Sequence, residues 1–89
     1  MKTSDMKLDG NSIGGLLREI FTMEMTTAGA KCGTCGAVHS MASVDVYVHA
    51  PGTVIRCPTC EQVLMRIVHG RDRYWLDLTG LNSLEMVES

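Results

Sequence analysis

The chain is expected to form a small α+β domain, with an N-terminal amphipathic helix followed by antiparallel β-hairpins that carry two metal-binding knuckles. Three observations support this. Two Cys-x-x-Cys pairs, Cys32-Gly33-Thr34-Cys35 and Cys57-Pro58-Thr59-Cys60, use all four cysteines of the 89 residues. Apolar residues recur with a helical period between Ile13 and Phe21, and with the period of a strand in several segments from Val44 onward. A chain this short buries a modest fraction of its surface, so a metal staple is a sensible supplement to its core.

Residues 1–8 read as a flexible leader, 9–82 as a single domain and 83–89 as a fraying tail. Ile13, Leu16, Leu17, Ile20 and Phe21 share one helical face, with Arg18 and Glu19 on the wet side. Asn11 is the expected N-cap. Gly14 and Gly15 each cost such a helix about 1 kcal/mol relative to alanine, so it depends on tertiary packing. From Thr22, alternation of Met23, Met25 and Thr27 with Thr22, Glu24 and Thr26 suggests an extended approach to the first knuckle. Val44, Val46 and Val48 then alternate with Asp45, Tyr47 and His49 as a half-buried strand. Ala50-Pro51-Gly52-Thr53 has the residues of a type II turn, returning the chain through Val54 and Ile55 to Cys57.

A second hairpin is expected to pair Val63, Met65 and Ile67 with Leu78, Leu76 and Tyr74. Gly70-Arg71 would then be a type II′ turn pair, and Arg66 would lie across from Trp75. Trp75 reads either as the lid of a second small core against the N-terminal helix, the preferred assignment, or as an exposed recognition side chain, and the methionines read as core filling. After Gly80, Leu81 to Val87 are expected to start a short terminal helix through Leu81 and Leu84 and then fray.

Two residues between paired cysteines let one tight turn aim both sulfurs at the same ion, and four soft donors saturate a structural zinc. Cys32, Cys35, Cys57 and Cys60 are therefore the expected Zn2+ ligands. Disulfides would need an oxidising compartment, and Met1 to Gly10 is polar, without the apolar core of a secretion signal. Redox dithiol chemistry would place a helix after the motif, whereas Gly36-Ala37-Val38-His39 reads as a turn entering a strand. Four protein ligands leave no coordination position for an activated water, and the chain has no phosphate loop or nucleophile elbow. The expectation is accordingly no enzyme and no catalytic residues. His39, just after the first knuckle, is considered as an occasional ligand or a donor to one; His49 and His69 read as exposed.

The formal net charge is −2 with neutral thiols, and a divalent ion on four thiolates makes it more negative, which disfavours nonspecific attraction to nucleic acid. The distribution is uneven, because residues 54–73 carry Arg56, Arg66, Arg71 and Arg73 against Glu61 and Asp72. No apolar run approaches the roughly 20 residues needed to span a bilayer. A cytoplasmic location is expected.

Beyond the knuckles, the stretches Leu8-Asp9-Gly10-Asn11, Leu16-Leu17-Arg18-Glu19-Ile20-Phe21, Glu24-Met25-Thr26-Thr27, Ala50-Pro51-Gly52-Thr53-Val54-Ile55-Arg56-Cys57-Pro58 and Trp75-Leu76-Asp77-Leu78 carry a resemblance. The chain resembles the zinc-ribbon superfamily and, more closely, an uncharacterised bacterial family of short zinc-ribbon proteins. That resemblance implies a small zinc-binding protein and supplies no substrate. One departure is Glu61, which stands after Cys60 where ribbon knuckles usually place glycine, as Gly36 does after Cys35.

The functional expectation is a non-enzymatic module with structural zinc that serves as a protein-interaction adaptor, as a monomer or weak homodimer. The alternative is a nucleic-acid-binding ribbon using Arg56, Arg66, Arg71 and Arg73 with Tyr47 or Trp75. Rubredoxin-like electron transfer through iron and a metallochaperone role rank lower, the former because an aromatic-rich core is missing.

Overall fold

The β-branched and apolar runs flanking the second Cys-x-x-Cys pair become the centre of the larger of two sheets. A computed structural model of the chain describes residues 7–49 and 52–86. Strands β4 (Asp45–His49), β5 (Gly52–Arg56) and β6 (Val63–His69) are flanked by β1 (Lys7–Asp9) and β7 (Tyr74–Asp77), in the order β1-β4-β5-β6-β7. Strands β2 (Gly29–Cys32), β3 (Val38–Ser40) and β8 (Leu81–Glu85) make a smaller sheet in the order β3-β2-β8. Every pairing is antiparallel.

Between β1 and β2 lie a 3-10 turn (Gly10–Ile13) and α1 (Gly14–Phe21), an α-helix of 8 residues. The α+β expectation is therefore corrected. The protein is mostly antiparallel β, and helix is confined to residues 10–21 among the described residues. Against the eight strands, α1 contributes only 8 residues, and the expected terminal helix over Leu81–Val87 is replaced by β8; Val87 itself lies outside the described residues. Leu81 and Leu84 suit a helix by spacing, but so short a helix barely repays its own nucleation. The open edge of β2 offers instead a ladder pairing Ala30 with Leu84 and Gly29 with Glu85. At the other end, Lys7 and Leu8 pair with Tyr47 and Val46.

Local expectations are corrected in the same way. Asp9, not Asn11, caps the helical segment, its carboxylate accepting the Ser12 N–H at 3.3 Å. The segment after α1 is not extended. Thr22 ends the helix in the left-handed region at φ 56°, and the Glu24 carboxylate bonds the amide of Thr26 at 3.3 Å and its hydroxyl at 3.0 Å. Those two bonds, the hydroxyl's foremost, hold the Glu24 carboxyl below its ordinary pKa. The turn they build drops Met25 into the core. The expected type II turn falls on Ala50 and Pro51, outside the described residues, while Gly52 is already in the ladder opposite His49.

The β6–β7 hairpin differs from expectation by two residues. His69 pairs with Tyr74, Ile67 with Leu76 and Arg66 with Asp77, and the loop is Gly70–Arg73, closed by the Gly70 N–H donating to the Arg73 carbonyl at 2.8 Å. A shift of two residues keeps every side chain on its own face, so apolar alternation suits both registers equally. Arg66 faces Asp77 rather than Trp75 as a result. Asp77 also bonds the Thr79 hydroxyl at 2.7 Å and amide at 3.0 Å, and these bonds, ahead of Arg66, keep its carboxyl below the usual range.

One buried cluster joins these parts. Val46, Ile55, Met65 and Ile67 come from the larger sheet, Ala30 and Cys32 from the smaller, Met41 and Val44 from the connection between them, and Leu17 and Ile13 from the helical segment. Of the seven methionines, Met25, Met41 and Met65 are core residues, as expected. Glu19 on α1 accepts a 2.5 Å hydrogen bond from the Tyr74 hydroxyl, tying the helix to β7. Replacing Leu17, fully buried, with alanine should cost about 2–5 kcal/mol, read as a lower midpoint in thermal or urea unfolding of the metal-loaded protein. A change under about 0.5 kcal/mol, typical of surface positions, would mean that α1 does not dock.

Candidate metal centre

Each Cys-x-x-Cys pair forms the turn of a hairpin, and the two hairpins belong to different sheets. Cys32–Cys35 connects β2 to β3, and Cys57–Cys60 connects β5 to β6. The two turns are built alike. In the first, the Gly36 N–H donates to the Cys32 carbonyl at 3.0 Å and the Cys32 N–H to the Ala37 carbonyl at 2.9 Å. In the second, the Glu61 N–H donates to the Cys57 carbonyl at 2.8 Å and the Cys57 N–H to the Gln62 carbonyl at 2.9 Å. The Thr34 and Thr59 amides point at Cys32 Sγ and Cys57 Sγ, each at 3.4 Å. This leaves charge on sulfur stabilised from the backbone side.

The turn needs a left-handed residue after its second cysteine. Gly36 supplies it at φ 79°, and Glu61 supplies the same conformation at φ 67°. The departure from glycine at this position therefore leaves the turn intact and puts its cost on a side-chain-bearing residue. Arg56 supports the strained position by donating from Nη1 to the Glu61 carbonyl at 2.9 Å.

The two turns bring all four Sγ atoms within 4.8 Å of one another. Cys32 and Cys60 approach to 3.6 Å, Cys35 and Cys57 to 3.7 Å. Thiolates about 2.3 Å from a central tetrahedral ion lie about 3.8 Å apart, so the cluster already has the spacing of a four-sulfur metal site. None of the four is in a disulfide. Cys32 and Cys57 are buried, Cys60 half-buried and Cys35 exposed, placing the centre at the rim of the core.

The electrostatics of the bare cluster favour a cation. Cys32 is pulled down to about 6, first by the Cys35 amide and then, against the opposing effect of burial, by the Thr34 amide and the Cys60 and Cys35 thiols. The Gln62 amide draws Cys60 down, but burial and the sulfurs of Cys32, Cys35 and Cys57 outweigh it and push the thiol up to about 12. One sulfur is thus readily anionic while its neighbour resists becoming so. A positive ion at the centre relieves that conflict.

His39 is not among the clustered ligands; its Nε2 lies 2.8 Å from the Thr59 hydroxyl, bracing the second turn from β3. His69 stacks on Tyr74 with ring centroids 4.3 Å apart, and the side chain of His49 is outside the described residues. Trp75 is 56% exposed, which corrects its assignment to a core. It carries Arg73 over its ring at 5.9 Å. Arg56 lies over Tyr47 at the same distance, and Arg66 pairs with Asp77 at 3.5 Å. The bracing roles of Arg56, His39 and the two threonine amides left no mark in the spacing of the cysteines, and only the tertiary structure reveals them.

Gly36 and Glu61 make the turn geometry testable. With metal bound, Glu61→Gly should raise the melting midpoint by a few degrees, because the left-handed penalty of about 1–2 kcal/mol exceeds the extra chain entropy that glycine brings to the unfolded state. Gly36→Ala should lower it by an amount of similar size. A lower midpoint for Glu61→Gly, or a higher one for Gly36→Ala, in calorimetry would mean that the two knuckles are not equivalent turns.

The chain matches a family of unknown function, DUF6510, over residues 2–89, and belongs to it. No curated protein and no solved structure gives a significant match.

Proposed function

We propose that this member of a family of unknown function is a non-enzymatic binding module stapled by one structural Zn2+ ion on Cys32, Cys35, Cys57 and Cys60. The observation that carries the reading is the convergence of four sulfurs, two from a turn of each sheet, at the separations of a tetrahedral site. Zinc suits an all-thiolate tetrahedral donor set. Four protein ligands fill its coordination, so the site supports a fold and not an activated water. The paired knuckles are also what carries the likeness to zinc ribbons. Four reduced thiols suit a reducing compartment such as the cytoplasm, and among the described residues no helix is long and apolar enough to cross a membrane.

The energetic scale fits a structural role. Zinc contributes roughly 10–16 kcal/mol of apparent binding free energy in small finger peptides, comparable to the whole stability of a domain at about 5–15 kcal/mol. Because Cys60 must lose a proton held up to about 12 in the metal-free cluster, affinity should rise with pH and the ion should be released on acidification.

Native mass spectrometry of the purified protein should show one zinc per chain. Cys57→Ser should unfold the protein or lower its melting midpoint far more than Arg71→Ala, since Arg71 is exposed in the β6–β7 loop. Iron in place of zinc, sulfurs found as disulfides, or an apo chain that melts like the holo protein would each overturn the reading.

A further inference from the structure

The two faces of the five-stranded sheet differ in what they meet. One face, bearing Val46, Ile55, Met65 and Ile67, lies in the core. The register puts a different set on the other: Tyr47, Val54, Arg66 and Asp77 form one row across β4 to β7, Val68 and Trp75 lie in the next, and Asp45 and Arg56 pair on the other side of that row. None of these residues is buried. Two aromatic rings and three arginines that are scattered in sequence thus share one open surface, with Arg73 placed there by its contact with Trp75.

The aromatic rings are arranged as platforms. The Arg73 guanidinium lies over the Trp75 ring at 5.9 Å, and the edge of the indole runs against the Gly70 backbone, where a Cβ would come within 2.7 Å of it. Tyr47 carries Arg56 in the same fashion. Strands β4 and β7 are three strand spacings apart, so the two rings stand about 14 Å from one another across the sheet. At the middle of the face the exposed Arg66 stands beside Val54 and Val68, and a protein-binding patch is usually depleted of charge at its centre.

We infer that this face docks single-stranded nucleic acid, with bases stacking on Trp75 and Tyr47 and phosphates meeting Arg56, Arg66 and Arg73. The inference rests on the binding-module reading above and is independent of which metal fills the centre. Stacking on flat side chains requires unpaired bases, which a duplex does not present. The cations are opposed on the face by Asp45 and Asp77, and near it by Asp72, which pairs with Arg73 at 3.1 Å. Such exposed pairs are worth about 0–1 kcal/mol each, so phosphates compete for the arginines. The sequence reading put a protein partner first. The placement of aromatic and arginine side chains on one face reverses that order.

Trp75 is the sole tryptophan, so its own emission reports the contact. The metal-loaded full chain would be titrated at low salt with oligo-dT and oligo-U of about ten nucleotides and with a duplex of equal length. The expected result is quenching by the single strands, at least tenfold weaker binding of the duplex, and a log–log salt slope near −2, from about −0.7 per phosphate at three contacts. Trp75→Ala should weaken binding of a labelled oligonucleotide by about 5- to 100-fold while leaving the melting midpoint unchanged, and Trp75→Phe should restore most of it. Arg66→Gln should flatten the slope by about 0.7.

Absence of quenching, duplex binding as tight as single-strand binding, or affinity indifferent to Trp75→Ala would overturn the inference. So would a concentration-dependent dimer that Trp75→Ala abolishes in the absence of any oligonucleotide binding. Zinc stoichiometry measured on the same samples separates these outcomes from failure of the metal reading.

Discussion

The structure depends on two hairpin turns from two different sheets being held at one point. Cys32 and Cys35 end one hairpin, Cys57 and Cys60 the other, and their sulfurs approach to within 4.8 Å of each other. Without a cation, that arrangement sets a readily ionised Cys32 against a Cys60 that burial and its neighbours keep protonated. With one, the same four groups become a cross-link between the sheets. The Gly33 N–H donates to the Gly80 carbonyl at 2.9 Å beside this junction, so the first knuckle is also tied to the approach to β8.

The knuckles show how one turn can be reached from two sequences. Gly36 adopts the left-handed conformation without steric penalty, whereas Glu61 takes it under strain. Strain of this kind persists where the surroundings over-determine it. Here the Glu61 amide bonds Cys57, the Glu61 carbonyl is held by Arg56, and Thr59 is braced by His39. Arg56 therefore connects the second knuckle to Tyr47 on the open sheet face. The metal centre and that surface are neighbours along β5, not separate regions.

The larger sheet has one face committed to the core and the other open, a common arrangement for antiparallel sheets. Leu17 and Ile13 supply cover on the inner side, and the Tyr74–Glu19 hydrogen bond fixes α1 against β7. That bond also raises the Tyr74 phenol above its ordinary pKa, chiefly through the Glu19 carboxylate that accepts it. On the outer side the residues are half-buried or exposed, and two of them are aromatic.

Features that depend on residues close together in the chain are legible without any tertiary information. Cysteine spacing identified the four clustered thiols, period-two alternation located β4 and most of β6, and period-3.6 placement located α1. What only the tertiary structure decided are choices among locally equivalent options. Alternation cannot distinguish registers two residues apart, so it sets neither the position of the β6–β7 loop nor the residue opposite Arg66. A leucine pair three residues apart reads as one helical face, and the edge of β2 claims the segment as a strand only through an irregularity opposite Lys31 and Cys32. Trp75 shares its face of β7 with Arg73 and Asp77, opposite Tyr74 and Leu76; which of the two faces is covered depends on where α1 docks, a contact between residues 55 positions apart at Glu19 and Tyr74. Local pattern encodes what each segment can become, and the competition for hydrogen-bonding edges and buried faces selects what it does become.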